Sequence, residues 1–137
     1  MTSKIIYNGQ LRTTATHLQS GTVIETDAPK DNHGLGEKFS PTDLVATALG
    51  SCMLSIMGIL ARNHDINIEG TEIEITKIMA AEPRRISEIV VNMALKGQAV
   101  YSEKEKAMLE RAALTCPVYL SLHPDLKKTV NFEWPCC

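Results

Sequence analysis

The chain has 137 residues, of which 44% are hydrophobic and 22% are charged. Its 14 basic and 16 acidic side chains leave a formal charge of −2, which argues against binding to nucleic acid or anionic lipid, because such binding needs clustered excess Lys and Arg. Aromatic residues make up only 4%, too few for a platform that stacks single-stranded bases. The apolar fraction excludes a disordered chain, and the length favours one domain over residues 1–137.

The start of the chain does not resemble a secretory signal, since polar residues lead into an apolar run shorter than a targeting core of ~7–15 residues. We therefore expect a cytoplasmic protein whose four cysteines stay reduced. There is no Cys-x-x-Cys pair, and the four histidines are scattered singly. No metal site is expected from this spacing, and we expect no organic cofactor either.

Two strands are predicted at residues 4–7 and 12–17, because Asn8-Gly9 between them is a strong hairpin signal. Residues 22–26 are rich in β-branched side chains and predict a third strand. The polar stretch 27–39, with its Pro and Gly residues, predicts a loop.

A helix is predicted to begin at Ser40, since Ser caps helices, Pro41 suits the first turn and Asp43 follows three residues after the cap. Residues 44–61 carry no charge, but their Thr, Gly and Ser content argues against a membrane span. A helix of this length measures about 30 Å. One small sheet can cover one face of it, so we expect a second copy of the chain to cover the rest, giving a homodimer.

The second half of the chain predicts two strands, two helical segments and a closing strand. Residues 71–78 alternate with period two, as in a half-buried antiparallel strand, and 86–95 predicts its partner. A capping box predicts a helix over 102–114, a shorter helical segment follows at 118–122, and 129–134 predicts the last strand. This order indicates an α+β fold.

Cys52 lies in the middle of the uncharged helix, where two interpretations are open. An unreactive thiol packed in the core is the simpler one, because free Cys is among the most buried residue types. A reactive thiol would need a nearby cation to lower its pKa. The candidate cations are Arg12, Arg62, Arg84 and Arg85. Arg12, on a predicted strand, is the one we expect to point into a site.

Residues 40–52 read SPTDLVATALGSC, and residues 116–118 read Cys-Pro-Val. Both segments resemble the two cysteine motifs of the OsmC/Ohr family, which comprises osmotically inducible protein C and the organic hydroperoxide resistance proteins. The predicted order of strands and helices also resembles that family. The resemblance implies antiparallel sheets packed around a long central helix in an intertwined homodimer.

The resemblance further implies a thiol peroxidase in which Cys52 attacks the peroxide and Cys116 resolves the oxidised thiol. Arg12 is similar to the family's thiolate-binding Arg. The family's Glu directly after the motif proline is Thr42 here, and the nearest acid is Asp43, as in other OsmC-like proteins. Two roles are open for Asp43: it acts across the dimer, or it caps its helix.

The implied substrate is an organic hydroperoxide, and the implied partner is an external dithiol that reduces the Cys52–Cys116 disulfide. Met53, Met57 and Phe39 either wall an apolar pocket or are plain core residues. The alternative function is a non-catalytic dimeric module that binds an apolar small molecule at the subunit interface. Cys136 and Cys137 are interpreted as a solvated tail beyond the last strand.

Overall fold

The computed structural model describes residues 1–136, which form two compact units. The first unit is Met1–Val45, and the second begins at Ala46. The described residues contain six strands and three α-helices in the order that the sequence predicts, so the α+β class is confirmed.

The first unit contains a three-stranded antiparallel sheet of β1 (Ser3–Gly9), β2 (Arg12–His17) and β3 (Val23–Asp27), in that spatial order. A loop with a short 3-10 turn at Lys30–Asn32 follows and leads to helix α1 (Pro41–Asn63). The three strands and the loop therefore lie close to their predicted positions.

The first hairpin turns two residues later than predicted. Gln10 and Leu11 form its tip, with positive φ angles of 54° and 60° that suit the tight turns of hairpins. The expected turn residues, Asn8 and Gly9, belong to β1, whose pairing register shifts immediately before Gly9. Because Gly9 takes a positive φ of 85° there, the pair forms a bulge that moves the turn along the chain.

The buried residues of the first unit are all polar: Thr26, Asp27 and Ser40. Its large apolar side chains are exposed, among them Ile5 at 64% and Val23 at 53%. A sheet that buries no hydrophobic side chain of its own within residues 1–45 needs apolar cover from elsewhere to be stable.

Helix α1 is 23 residues long and buries Leu49, Met53 and Met57 completely. By length and composition it is the one helix among residues 1–136 that could cross a membrane, although the core helix of a soluble protein passes the same test. Only 33% of its most apolar 18-residue window is buried, and the rest of this segment is half-buried or exposed within one chain.

The second unit contains a sheet of β4 (Glu72–Ala81), β5 (Arg84–Ala94) and β6 (Lys127–Glu133). The expectation of purely antiparallel sheets is wrong here: β5 runs antiparallel to β4 but parallel to β6. Between β5 and β6 the chain forms α2 (Glu103–Leu114) and α3 (Pro117–Ser121). This crossover brings the chain back to the same end of the sheet, so the next strand pairs in parallel.

Helix α1 packs closely on β4 at Gly50, where an added Cβ would lie 3.1 Å from Ile75 Cδ1 and 3.3 Å from Ile73 Cγ2. A larger residue there would crowd the side chains of Ile73 and Ile75, which would have to shift by a few tenths of an ångström. Met53 and Met57 belong to the fully buried core. Of the two interpretations left open for them, a pocket wall or a plain core, the structure supports the core.

Candidate functional site

Cys52 and Cys116 are free thiols that the second unit brings into contact. Cys52 lies in the middle of α1 and is half-buried, whereas Cys116 is fully buried between α2 and α3. The Cys52 side chain lies close enough to Cys116 to contribute to the raised pKa of that thiol. The fold therefore joins two cysteines that the sequence places on different helices.

Cys116 has a defined local structure because it caps α3. Its Sγ accepts a hydrogen bond from the backbone N–H of Tyr119 at 3.4 Å, and Pro117 takes the first helical position, where an N–H is not needed. Burial raises the pKa of the Cys116 thiol; the Tyr119 N–H opposes this rise, and the neighbouring Cys52 adds to it. Cys116 is thus a protonated thiol at neutral pH.

Arg12 is held by Asp27 in the first unit. The two residues lie directly opposite each other on β2 and β3, with Arg12 Nε 2.7 Å from Asp27 Oδ1 and Nη2 2.9 Å from Oδ2. The backbone N–H of Glu37 also donates to Asp27 Oδ2, at 3.1 Å, and the Glu37 carboxylate lies 3.8 Å from Arg12. The hydrogen bonds from Arg12 hold the pKa of the fully buried Asp27 below its usual range.

Replacing Asp27 with Asn should lower the melting temperature at pH 7, because the variant loses the two-point pair with Arg12. A carboxylate whose pKa is lowered by folding stabilises the protein above its unfolded pKa of about 3.9, and this contribution is lost as the pH falls through the folded value. The difference in melting temperature between wild type and Asp27→Asn should therefore shrink below about pH 4.

Thermal unfolding from pH 7 to pH 2 measures this gap, with Glu25→Gln as the control. Glu25 is on the same strand, but its pair with Lys38, at 3.8 Å, is exposed, so its removal should change stability little. If the two melting temperatures differed by the same amount at every pH, Asp27 would not act through its charge.

Asp43 occupies the capping position that the sequence predicts. Its Oδ2 accepts from the backbone N–H of Ser40 at 3.0 Å, and the Ser40 hydroxyl accepts from the backbone N–H of Asp43 at 3.0 Å. This reciprocal pair satisfies donors at the start of α1, the helix that carries Cys52. Of the other candidate cations, Arg62 is exposed near the end of α1, and Arg84 and Arg85 begin β5.

An apolar groove of about 480 Å³ lies between α1 and α2. Its apolar wall consists of Ile56, Ile59, Leu60, Met108 and Ala112. Its polar rim consists of Asn63, His64, Arg111 and Thr115. Ile56 lies one helical turn after Cys52 and Thr115 directly precedes Cys116, but neither cysteine is among the residues that line the groove.

Asp27 and the groove are the two features that sequence reasoning missed. The sequence predicts Asp27 in the loop 27–39, whereas pairing of the predicted second and third strands across their turn places it opposite Arg12. The groove is formed by residues of two helices that are far apart in sequence, and no local pattern indicates it.

Within residues 1–136, no group of three or more His, Cys, Asp or Glu side chains is placed to hold a metal ion. At the end of β6, Trp134 packs edge-on against Tyr101, with ring centroids 5.2 Å apart, and Cys136 beyond it is exposed. Cys137 lies outside the described residues.

The sequence profile of the OsmC-like protein family matches residues 34–131, well over half of the chain. A search of curated proteins gave no match. Among solved structures, a Psychrobacter arcticus protein described as a candidate osmotic stress induced and detoxification response protein is 52% identical. The alignment covers 96% of this chain and 95% of that one, with a TM-score of 0.92.

Two more distant structures share the fold. An OsmC-like protein from Mycoplasma pneumoniae is 21% identical over 98% of this chain and 96% of that one, with a TM-score of 0.80. A candidate organic hydroperoxide resistance protein from Vibrio cholerae, with captopril bound in one of its active sites, is 12% identical over 96% of this chain and 91% of that one, with a TM-score of 0.74. By its sequence profile and its 52% identical relative, the chain belongs to the OsmC-like protein family.

Proposed function

We propose that this chain is a thiol-dependent peroxidase that reduces organic hydroperoxides in the cytoplasm. The observation that carries the proposal is the contact between Cys52 and Cys116 in a member of the OsmC-like family. The substrate class is taken from relatives described as organic hydroperoxide resistance proteins, which share the fold.

Exposure and pKa support different roles for the two thiols in this proposal. Cys52 is half-buried and is therefore the more accessible of the two to a peroxide, whereas Cys116 is fully buried and has a raised pKa. The thiolate is the nucleophile in thiol chemistry, and a buried protonated thiol is a poor one. Cys52 is therefore the attacking group, and Cys116 is the thiol that reacts second.

The reaction has three steps. In the first step, the Cys52 thiolate attacks the distal oxygen of the hydroperoxide and the O–O bond breaks. The alkoxide leaves and takes up a proton to become an alcohol, and Cys52 becomes a sulfenic acid. Cys116 then displaces the sulfenic oxygen as water and forms a disulfide with Cys52. An external dithiol reduces this disulfide by exchange and is itself oxidised to a disulfide. No step uses a metal or an organic cofactor.

Arg12 and Asp43 support this chemistry in the proposal. Arg12 stabilises the Cys52 thiolate by a charge-assisted hydrogen bond, a role that rests on the family resemblance. Asp27 engages Nε and Nη2 of Arg12 and so fixes the guanidinium plane for contact with a second anion. Asp43 caps the helix on which Cys52 lies.

The active form in this proposal is a homodimer. Two observations support a second copy as the missing cover: the apolar side chains of the first unit are exposed, and only 33% of the most apolar window of α1 is buried. One side of α1 carries a small-residue face, formed by Thr47, Ser51, Ser55 and Gly58. Small residues let two helices approach closely, so this face suits contact with the same helix of a second copy.

A coupled assay with cumene hydroperoxide and dithiothreitol tests the proposed function. We expect the wild-type protein to consume the peroxide catalytically, and to prefer it to hydrogen peroxide because apolar side chains surround the thiols. The second candidate, a non-catalytic module that binds an apolar molecule, is favoured by the groove between α1 and α2. Binding without any peroxide consumption would support that candidate instead.

Deleting Cys136 and Cys137 should leave both dimerisation and peroxide turnover unchanged. Trp134 is the last large side chain packed against the core, and Cys136 beyond it is exposed. Light scattering and the coupled assay on the truncated chain measure the two properties. Loss of turnover would show that a terminal thiol, rather than Cys116, resolves the oxidised enzyme.

A further inference from the structure

The sulfur of Cys116 contacts both the start of α3 and the thiol of Cys52. Its Sγ accepts a hydrogen bond from the backbone N–H of Tyr119 at 3.4 Å, and the backbone N–H of Val118 also lies against it. Pro117 has no N–H, so these two groups are the donors of the first turn that need an acceptor outside the helix ladder. The atom that caps α3 is therefore the same atom that the proposed reaction oxidises.

Helix α3 depends on this cap because its other support is small. It has five residues, and a helix this short is not stable by itself. None of its residues is fully buried, and Leu120 is 68% exposed. Val118 and Tyr119 pack against the core, and Lys128 Nζ lies over the Tyr119 ring, 5.4 Å from its centroid. A few contacts thus order the segment, and the thiol cap is one of them.

Disulfide formation between Cys52 and Cys116 acts directly on this cap. Two bonded sulfurs lie closer together than two that are only in contact, so the new bond draws the Cys116 sulfur toward α1. Sulfur is a weak hydrogen-bond acceptor even in a thiol, so its contact with the Tyr119 N–H is easily lost. The disulfide and the helix cap therefore compete for one atom.

We propose that α3 is a redox-sensitive lid, which is closed while the Cys116 thiol caps it and opens when that sulfur is joined to Cys52. Opening uncovers Cys116, which is fully buried in the reduced protein, and gives the external dithiol access to the disulfide. Reduction returns the sulfur to the Tyr119 N–H and closes the lid. The inference rests on the proposed function for its oxidant and its reductant, and it adds a conformational change to that cycle.

Amide hydrogen exchange followed by NMR tests the lid, in a full-length chain whose two terminal cysteines are replaced by Ser. Diamide joins Cys52 to Cys116 without any peroxide, because it takes up the two thiol hydrogens with their electrons and becomes a hydrazine. The amides of Tyr119 and Leu120 should then exchange about fivefold faster, the factor expected for loss of a helix cap. The amide of Leu109, in the middle of α2, should not change.

Three substitutions separate the cap from the disulfide. Cys52→Ser cannot form the disulfide but keeps the Cys116 thiol, so diamide should leave the exchange of α3 unchanged. Cys116→Ser keeps a capping atom, because Ser is a preferred N-cap, and its α3 should stay protected with or without diamide. Cys116→Ala has no capping atom, so its α3 should exchange without oxidant as fast as in the oxidised parent chain.

A Cys52–Cys116 disulfide that leaves the exchange of α3 unchanged would overturn the inference, and so would failure of diamide to form that disulfide. A fully protected α3 in Cys116→Ala would overturn it as well, because the sulfur would then not be needed to order the helix. If diamide opens α3 while cumene hydroperoxide leaves both thiols reduced, the lid is supported and the peroxidase function is rejected.

Discussion

The Cys52→Ser variant should lose turnover of organic hydroperoxides by about three orders of magnitude or more, because removing the attacking group removes the first chemical step. Cys52 is half-buried on α1, and the hydroxyl of Ser is no nucleophile toward a peroxide at neutral pH. The coupled assay with cumene hydroperoxide measures the loss. Cys136→Ser is the matched control, since Cys136 is exposed beyond the last strand and should be dispensable.

Cys116→Ser should behave differently from Cys52→Ser. Its Cys52 still attacks one equivalent of peroxide, but the sulfenic acid has no partner thiol and is open to irreversible over-oxidation. Single-turnover peroxide consumption and the protein mass measure the two events. If Cys52→Ser kept most of its activity, or if Cys116→Ser consumed no peroxide at all, the assignment of roles would be wrong.

Ser55→Glu should convert the protein from a dimer to a monomer. Ser55 lies on the small-residue face of α1, and in a two-fold symmetric contact the change would bring a bulky carboxylate from each copy into a closely packed interface. Light scattering should give about twice 15.1 kDa for wild type and a value near 15.1 kDa for the variant.

Ala107→Glu is the control for this charge, because Ala107 is exposed on α2 and lies outside the small-residue face. It should stay dimeric. A wild-type protein that is a stable, folded monomer at micromolar concentration would contradict the proposed assembly. In that case the exposed apolar side chains of the first unit would need another explanation.

Elements with local sequence signals were predicted well. Helix α2 begins at Glu103 behind a capping box in which Ser102 and Glu105 satisfy each other's backbone N–H groups, as the sequence indicates. The alternating pattern after residue 71 gives β4, whose residues alternate between exposed and half-buried. In both cases the deciding interactions lie within a few residues, so the sequence pattern contains them.

Features that depend on long-range packing were not predictable in the same way. The parallel pairing of β6 with β5 depends on how α2 and α3 return the chain to the sheet. The contact of Cys52 with Cys116 depends on how the helices pack, and only the resemblance to a family suggested it. The pair of Arg12 with Asp27 is an intermediate case, because a turn that joins His17 N–H to Thr22 C=O fixes that register locally.

Thiol counting by mass spectrometry after one equivalent of cumene hydroperoxide tests the central claim most directly. The reduced protein should lose two free thiols, and peptide mapping should find one intrachain disulfide between Cys52 and Cys116. Cys136 should remain available to an alkylating reagent, since it is exposed and takes no part in the reaction. If Cys52 and Cys116 both stay reduced while the peroxide is present, the thiol contact is structural and the peroxidase proposal fails.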